Sequence, residues 1–408
     1  MVTKPRILLV PNASSWILGE IARQIIETLS DTYDFRYISE LTARYRPALL
    51  RRVVREVDLV HALTEVVAVS IHRLAGPLPP LVTWIHHVSK WREEHDFAVG
   101  ASAQLLATTP EWAQVLLDHA KGTPVTVVGQ GVDVDRFRRR PADRRRFGIP
   151  QDAFAVGFIG SRFSDLDGGR KGLDVLDAVV KRAAHEIPAF HVIFVGPGWE
   201  THAAMLRGSG ISASTTGYVA ADSMPDSYNC IDAYLVTSRI EGGPCTVLEA
   251  MASETPVVST RVGLVPDVMS GSLAQYTSAI DDAESLASAL ARIAAHSAEE
   301  RRRIGADERA VVVARRRWSQ TLEALRPVYA ETIRCHGRQP GLRAEIDVRG
   351  ELATITAADA LLGSAYALWK RGDHLPRSAQ MLRSMTKGMG VREMARGLAL
   401  VGGRFLDR

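Results

Sequence analysis

Thr237-Ser238-Arg239-Ile240-Glu241-Gly242-Gly243-Pro244-Cys245-Thr246-Val247-Leu248-Glu249-Ala250-Met251 carries three local signals in one run. The apolar residues at 233–237 predict a strand. Gly242 and Gly243 predict a tight turn, and Pro244 followed by 245–253 predicts a helix with proline in its first turn. A strand that turns on glycine straight into a helix is the corner of a parallel, doubly wound sheet. Ligands of such sheets collect beyond the carboxyl ends of the strands.

Two features of this corner bear on chemistry. The amides of Cys245 and Thr246 open the helix and face the cleft, which makes a backbone anion site. Glu241 precedes the helix and Glu249 follows eight residues on, up to ~12 Å away at the helical rise. A nucleotide diphosphate fits between them, its sugar near Glu241 and its ribose near Glu249, because an ionised carboxylate accepts well from two vicinal hydroxyls. Two glutamates eight apart also occur by accident on solvated helix faces. The preceding strand, the glycine pair and the following Ala250-Met251-Ala252 set this pair apart from that case.

The alternation of strand and helix extends in both directions. Strands predicted at 155–159, 192–195, 233–237 and 257–260, with helices at 172–185 and 245–253, make a domain spanning 151–317. Residues 1–133 make another, with strands at 7–10, 35–38, 59–62, 81–85, 105–108 and 125–128 and helices at 17–30 and 110–119. Between them, 134–150 loses apolar periodicity and carries Arg136, Arg138, Arg139, Arg140, Arg144, Arg145 and Arg146 with two prolines, as an exposed hinge would. A helix is predicted over 318–336, and a basic helical extension over 337–408. The fold class expected is α/β: two Rossmann-like doubly wound domains facing across a cleft, plus that C-terminal extension.

Composition bounds the reading. The 408 residues suit two or three domains, and 46% hydrophobic with 24% charged residues describes a folded globular chain. Fifty basic against 46 acidic side chains leave +4, too weak a field to argue for nucleic acid. Arginine outnumbers lysine 43 to 7, which suits bidentate phosphate contacts and is equally explained by GC-rich codons. Cys230, Cys245 and Cys335 are odd in number and widely spaced. This excludes a disulfide framework or a CxxC zinc site and fits a reducing cytoplasm. The apolar run before Pro11 is too short for a signal peptide, and no stretch approaches a membrane span. Membrane contact is expected to be peripheral at most, through the basic tail or the Arg-rich stretch 44–55. The tail helices are alternatively a subunit contact of a homodimer.

Other residues gather at strand ends. Gly160-Ser161-Arg162 closes one strand and Arg170-Lys171-Gly172 opens a helix, placing cations where a departing diphosphate needs them. Gly196, and Tyr218 after Gly217, stand where a flat base could approach. His86 and His87 follow the strand at 81–85. Asp133-Val134-Asp135 and Asp165-Leu166-Asp167 mimic a DxD metal site. The hinge position of the first and the tandem sheets argue against that role, so no metal site is expected. A helix N-terminus lowers the pKa of a thiol such as Cys245 in principle, but no histidine is fixed beside it and no nucleophile is assigned.

The hinge Gly131-Val132-Asp133-Val134-Asp135-Arg136-Phe137, the pair Arg162 and Lys171, and Glu241 to Glu249 with the Ala-Met-Ala-Ser-Glu-Thr-Pro-Val-Val that follows resemble the retaining glycosyltransferases of family 4. The resemblance covers about residues 1–335 and is strongest over 125–270. It implies the GT-B fold, with a sugar nucleotide held mainly by the second domain and a final helix, begun by Trp318, crossing back to the first. It further implies that Arg162 and Lys171 hold the diphosphate, Glu249 the ribose, and Glu241 with the Gly242–Gly243 turn the transferred sugar. His86, or alternatively His87, would stand near that sugar. The implied reaction retains anomeric configuration, needs no metal or other cofactor, and takes a UDP or GDP sugar as co-substrate with a hydroxyl-bearing acceptor. Front-side attack, in which the leaving diphosphate takes the acceptor's proton, requires no protein nucleophile.

Two departures stand out. Pro11-Asn12-Ala13-Ser14-Ser15-Trp16 replaces the family's Gly-Gly loop, so Ser14 and Ser15 are expected to contact phosphate through hydroxyls. The spacing from Arg162 to Lys171 is lengthened by 164–169, so Arg170 is expected to share or exchange the role of Lys171. The same fold also serves sugar-nucleotide epimerases and catalytically silent scaffolds. Loss of Glu241 or Lys171 would have suggested the silent class, and both are present.

Overall fold

The computed structural model describes residues 4–14, 17–162 and 169–337. The expected extension beyond Gly337, Ser15, and Asp165 with Asp167 lie outside them. Two six-stranded sheets form, one per lobe. The first contains β1 (Arg6–Val10), β2 (Asp34–Tyr37), β3 (Leu59–Ala62), β4 (Leu81–Ile85), β5 (Gln104–Ala107) and β6 (Val125–Val127), in the order β2-β1-β3-β4-β5-β6. The second contains β7 (Phe154–Ile159), β8 (Phe190–Val195), β9 (Ala213–Thr215), β10 (Ala233–Val236), β11 (Val257–Thr260) and β12 (Thr277–Ser278), in the order β12-β11-β10-β7-β8-β9. Every strand pairing is parallel, so each connection must cross a face of its sheet, and helices cover both faces. The sequence did not reveal β9 and β12, because these short edge strands carry Ser214, Thr215, Thr277 and Ser278 rather than an apolar run.

Strand order places the site. In the first sheet the winding reverses between β1 and β3, and in the second between β7 and β10. A crevice opens at each reversal, outside the carboxyl ends of the strands. The loops after β7 and β10, which carry Arg170, Lys171 and Glu241, therefore meet at one point by topology.

The lobes are joined twice. Val132 bridges to Arg317, and its amide donates to the Arg316 carbonyl at 2.8 Å. The chain then returns: the helices Trp318–Thr321 and Leu325–His336 bury Trp318, Leu322, Leu325 and Tyr329 among Ile21, Ile25 and Trp84 of the first lobe. The last described helix therefore completes the core of the first lobe.

Residues 134–150 are exposed over much of their length yet anchored: Phe137, Phe147 and Ile149 are buried in the second lobe's core. Arg140 pairs with Asp226 at 2.7 Å and Arg144 with Asp232 at 2.6 Å. Arg309 donates to the carbonyls of Val134 and Phe137, each at 3.0 Å, and of Ala252. Each apolar residue there is an isolated anchor, which leaves no period to read. The stretch 44–55 is not one basic helix with an apolar face for lipid. It breaks before Pro47 into the helices Glu40–Tyr45 and Pro47–Val53, and Leu49, Leu50 and Val53 are spent on the first lobe's core. Among the described residues no helix is long and apolar enough to cross a membrane.

Candidate active site

Glu241 sits at the second-lobe reversal, 9% exposed, with both carboxylate oxygens engaged. Oε1 accepts from Lys171 Nζ and from the Ser238 hydroxyl at 2.9 Å, and Oε2 accepts from Arg170 Nη1 at 3.1 Å. Burial by itself would raise this carboxyl, but the charges of Lys171 and Arg170 hold it below the usual carboxylate range. Arg170 and Lys171 therefore both bond Glu241 where the loops after β7 and β10 meet.

The helix Cys245–Ala252 starts three residues beyond Gly242. The Pro244 carbonyl accepts from the Val247 amide at 2.9 Å, and the amides of Cys245 and Thr246 precede the helix's own ladder. Glu249 is half-buried on this helix, and its Oε2 accepts from the Tyr228 hydroxyl at 2.5 Å. Burial pushes its carboxyl up to about 7, against the lowering effects of Tyr228 and of Arg136. The Thr246 hydroxyl accepts from Tyr234 at 2.7 Å, so its side chain is held from below and its amide is the group left for an anion. Burial raises the Cys245 thiol far above its ordinary range, and Glu249 and Glu241 raise it further.

Across the cleft, His86 and His87 end β4. The His86 ring is committed: Nε2 lies 2.9 Å from the Leu63 carbonyl and Nδ1 3.0 Å from Gln130 Nε2, and the ring stacks on Trp84. A carbonyl can only accept, so Nε2 carries the proton and Gln130 donates to Nδ1. Burial pushes the His86 pKa down to about 4. Burial also lowers that of His87, and so do the charges of Arg170 and Lys171, while Glu241 opposes them. Both histidines line an inter-lobe cavity of about 460 Å³ together with Asn12, Lys90, Arg92, Glu241, Gly242 and Gly243.

Other expected residues lie elsewhere. Arg162 places its guanidinium over Trp199, 5.8 Å from the ring centre, and does not join Arg170 and Lys171 on Glu241. Ser14 is buried and its hydroxyl accepts from Tyr37 at 2.8 Å. Gly196 has φ +131°, and a Cβ there would meet the Gly160 carbonyl oxygen at 2.3 Å, so its glycine is explained by the close approach of two strand ends. Tyr218 is 44% exposed beside Gly217, which bridges to Gly196. Asp133 accepts from the amides of Asp135 and Arg136, at 3.1 and 2.9 Å, as a turn residue does. Among the described residues, no three His, Cys, Asp or Glu side chains group as metal ligands would. Sequence reading missed Tyr228, Tyr234, Gln130 and Trp112, each a single residue in an ordinary run.

Two doubly wound lobes joined at a crossed hinge, with a reversal of each sheet opening on the cleft, define the GT-B fold. The chain superposes on HepE of Anabaena, crystallised with UDP and glucose, with a TM-score of 0.66 at 15% identity, over 80% of this chain and 100% of that one. On sucrose-phosphate synthase of Thermosynechococcus elongatus the TM-score is 0.67 at 16% identity, over 82% and 100%. Residues 153–296 match the model of the glycosyl transferases group 1 family. The D-inositol 3-phosphate glycosyltransferase of Geodermatophilus obscurus is 31% identical over 252 residues, 57% of this chain and 53% of that protein. Its namesake in Mycobacterium tuberculosis is 32% identical over 253 residues, 55% and 48%. This chain spans about half the length of these curated relatives.

Proposed function

We propose that this chain is a glycosyltransferase that moves a sugar from a nucleotide-diphosphate sugar, of UDP or GDP type, to a hydroxyl acceptor. It does so with retention at the anomeric carbon and without a metal ion. The observation that carries this reading is Glu241, held by Arg170 and Lys171 at a helix N-terminus on the inter-lobe cavity.

The chemistry follows from charge. As the bond from the anomeric carbon to the diphosphate breaks, negative charge grows on the leaving oxygen. Arg170, Lys171 and the amides of Cys245 and Thr246 stabilise it without reorganising. The acceptor oxygen bonds to the anomeric carbon on the same face, and its proton passes to the leaving diphosphate oxygen. Glu241 and the 242–243 turn orient the sugar, Glu249 takes the ribose, and Arg162 closes on the diphosphate from the loop after β7. The relatives are named for D-inositol 3-phosphate, and Lys90 and Arg92 line the first-lobe side of the cavity. A phosphorylated polyol is therefore the first acceptor to try.

The test is calorimetric binding of UDP, GDP, ADP and dTDP in excess EDTA, followed by the proton NMR coupling of the product's anomeric carbon with the sugar of the preferred nucleotide. Binding of one nucleotide under EDTA and an unchanged anomeric configuration are expected. Binding that appears only with Mn²⁺ or Mg²⁺ would overturn metal independence, and an inverted product would overturn retention.

A further inference from the structure

Two phenols lie beneath the Cys245–Ala252 helix with their hydroxyls on two of its side chains. Tyr228, 0% exposed, donates to Glu249 Oε2 at 2.5 Å, and Tyr234, 3% exposed, donates to Thr246 Oγ1 at 2.7 Å. Thr246 and Glu249 are three residues apart and so share one face of the helix. The two rings meet edge to face at 5.9 Å, and Phe137 meets Tyr228 edge to face at 5.8 Å. The Tyr228 backbone is tied as well, its carbonyl accepting from the Thr255 hydroxyl at 2.9 Å. A phenol so enclosed touches neither sugar nor acceptor. Phenylalanine would fill the same space, so what the hydroxyl adds is its bond to Glu249.

We propose that Tyr228 is a positioning residue for the nucleotide: its hydroxyl fixes one oxygen of Glu249, favours the ionised carboxylate and leaves Oε1 to the ribose hydroxyls. The inference rests on the reading of Glu249 as the ribose acceptor and names the group that prepares it. A donor bonded to a carboxylate favours its charged form. The other groups acting on Glu249 are Arg136 of the linker, which also favours the anion, and Glu20 of the first lobe, which opposes it. Cys245 and Tyr234 feel the Glu249 charge and are themselves neutral.

The experiment titrates UDP, GDP and ADP into the full chain from pH 5.5 to 8.5. The tightest of the three is then carried through wild type, Glu249→Gln, Tyr228→Phe and Tyr234→Phe. In wild type, affinity should rise with pH through a step that Glu249→Gln abolishes. In Tyr228→Phe the step should move to higher pH by about one unit, with affinity at neutral pH reduced about fivefold and recovered at the alkaline end. Tyr234→Phe, whose hydroxyl serves Thr246, should leave the step in place. A merely structural tyrosine would lower affinity without moving the step. An unmoved step in Tyr228→Phe, with Glu249→Gln still flat, overturns the role of Tyr228 and keeps that of Glu249. Wild-type behaviour in Glu249→Gln, or no nucleotide bound by wild type, overturns both. Should Tyr228→Phe fold poorly, wild type grown on 3-fluorotyrosine supplies the second test. Its more acidic phenols should move the step to lower pH, and an unmoved step overturns the proposal.

Discussion

Trp112 of the first lobe donates its indole N–H to the backbone carbonyl of Glu241 in the second, at 2.9 Å. The turn at 241–243 is thereby seated in a first-lobe socket. The His86 carbonyl, which accepts from the Thr108 hydroxyl at 2.6 Å, would lie 2.0 Å from a Cβ placed on Gly242. The loop that carries the central carboxylate is positioned by both lobes, so closure of the cleft and the placement of Glu241 are one event.

Gly242→Ala should therefore hold the lobes apart, since the clash is with backbone and no side chain can yield. Turnover of the sugar nucleotide should fall at least about a hundredfold, of the order seen when catalytic groups are displaced by an ångström. Nucleotide affinity, a property of the second lobe, should change less than about threefold. Trp112→Phe should act the same way more weakly, at about 1–3 kcal/mol for the unpaired buried carbonyl. Small-angle scattering and nucleotide-release assays check both, and an unaltered radius of gyration with unaltered turnover in Gly242→Ala would refute the socket.

Glu241 and Glu249 should separate on mutation. Glu249→Ala should chiefly weaken nucleotide binding, whereas Glu241→Ala should chiefly lower turnover, because it removes the carboxylate that Arg170 and Lys171 share and with it the sugar's partner. Calorimetry and initial rates on each variant give the split. Equal and negligible effects from both would sink the assignment of the site.

Glu308 makes a pH prediction of its own. It is 0% exposed, and Oε1 accepts from the Val257 amide at 3.0 Å. Burial holds its carboxyl well above the ordinary 4.5. A raised folded value means that its contribution is full below about pH 4.5 and is lost as pH rises through the folded value. Glu308→Gln keeps the acceptor and removes the titration. Its melting temperature should match wild type in acid and exceed it near pH 9. Glu308→Ala should cost about 2–4 kcal/mol at any pH, through a cavity and an unpaired amide. A glutamine variant that loses stability faster than wild type on the alkaline side would contradict the account.

The two histidines at the end of β4 should also part company. His86→Ala removes the ring between Leu63 and Gln130 and should lower the melting temperature, at a cost of about 1–3 kcal/mol. His87→Ala should leave the melting temperature nearly unchanged and lower turnover by about tenfold or more. Thermal scans beside rate measurements distinguish them, and a reversal of the two effects would restore His86 as the functional histidine.

What could be read in sequence is what is local or topological. Glu241, the glycine turn, the helix start and Glu249 lie in one stretch whose periodicity and turn chemistry are set by neighbours. Lys171 is 70 residues from Glu241, and the ion pair between them was not read from sequence. Nor was the anchoring of the linker, because Phe137, Phe147 and Ile149 are buried singly, without a period.

Sequence by itself determined the two doubly wound lobes, the glycine corner that opens the Cys245–Ala252 helix and the carboxylates flanking it, because strand, turn and helix preferences act over a few residues. Only tertiary structure decided that the His86 ring is held between Leu63 and Gln130, that Ser14 accepts from Tyr37, that Arg170 and Lys171 both bond Glu241, and that Trp112 bonds the Glu241 carbonyl and Tyr228 bonds Glu249. A tryptophan bonded 129 residues away leaves no local mark. Such contacts exist only once two sheets and a returning helix have brought the chain back upon itself.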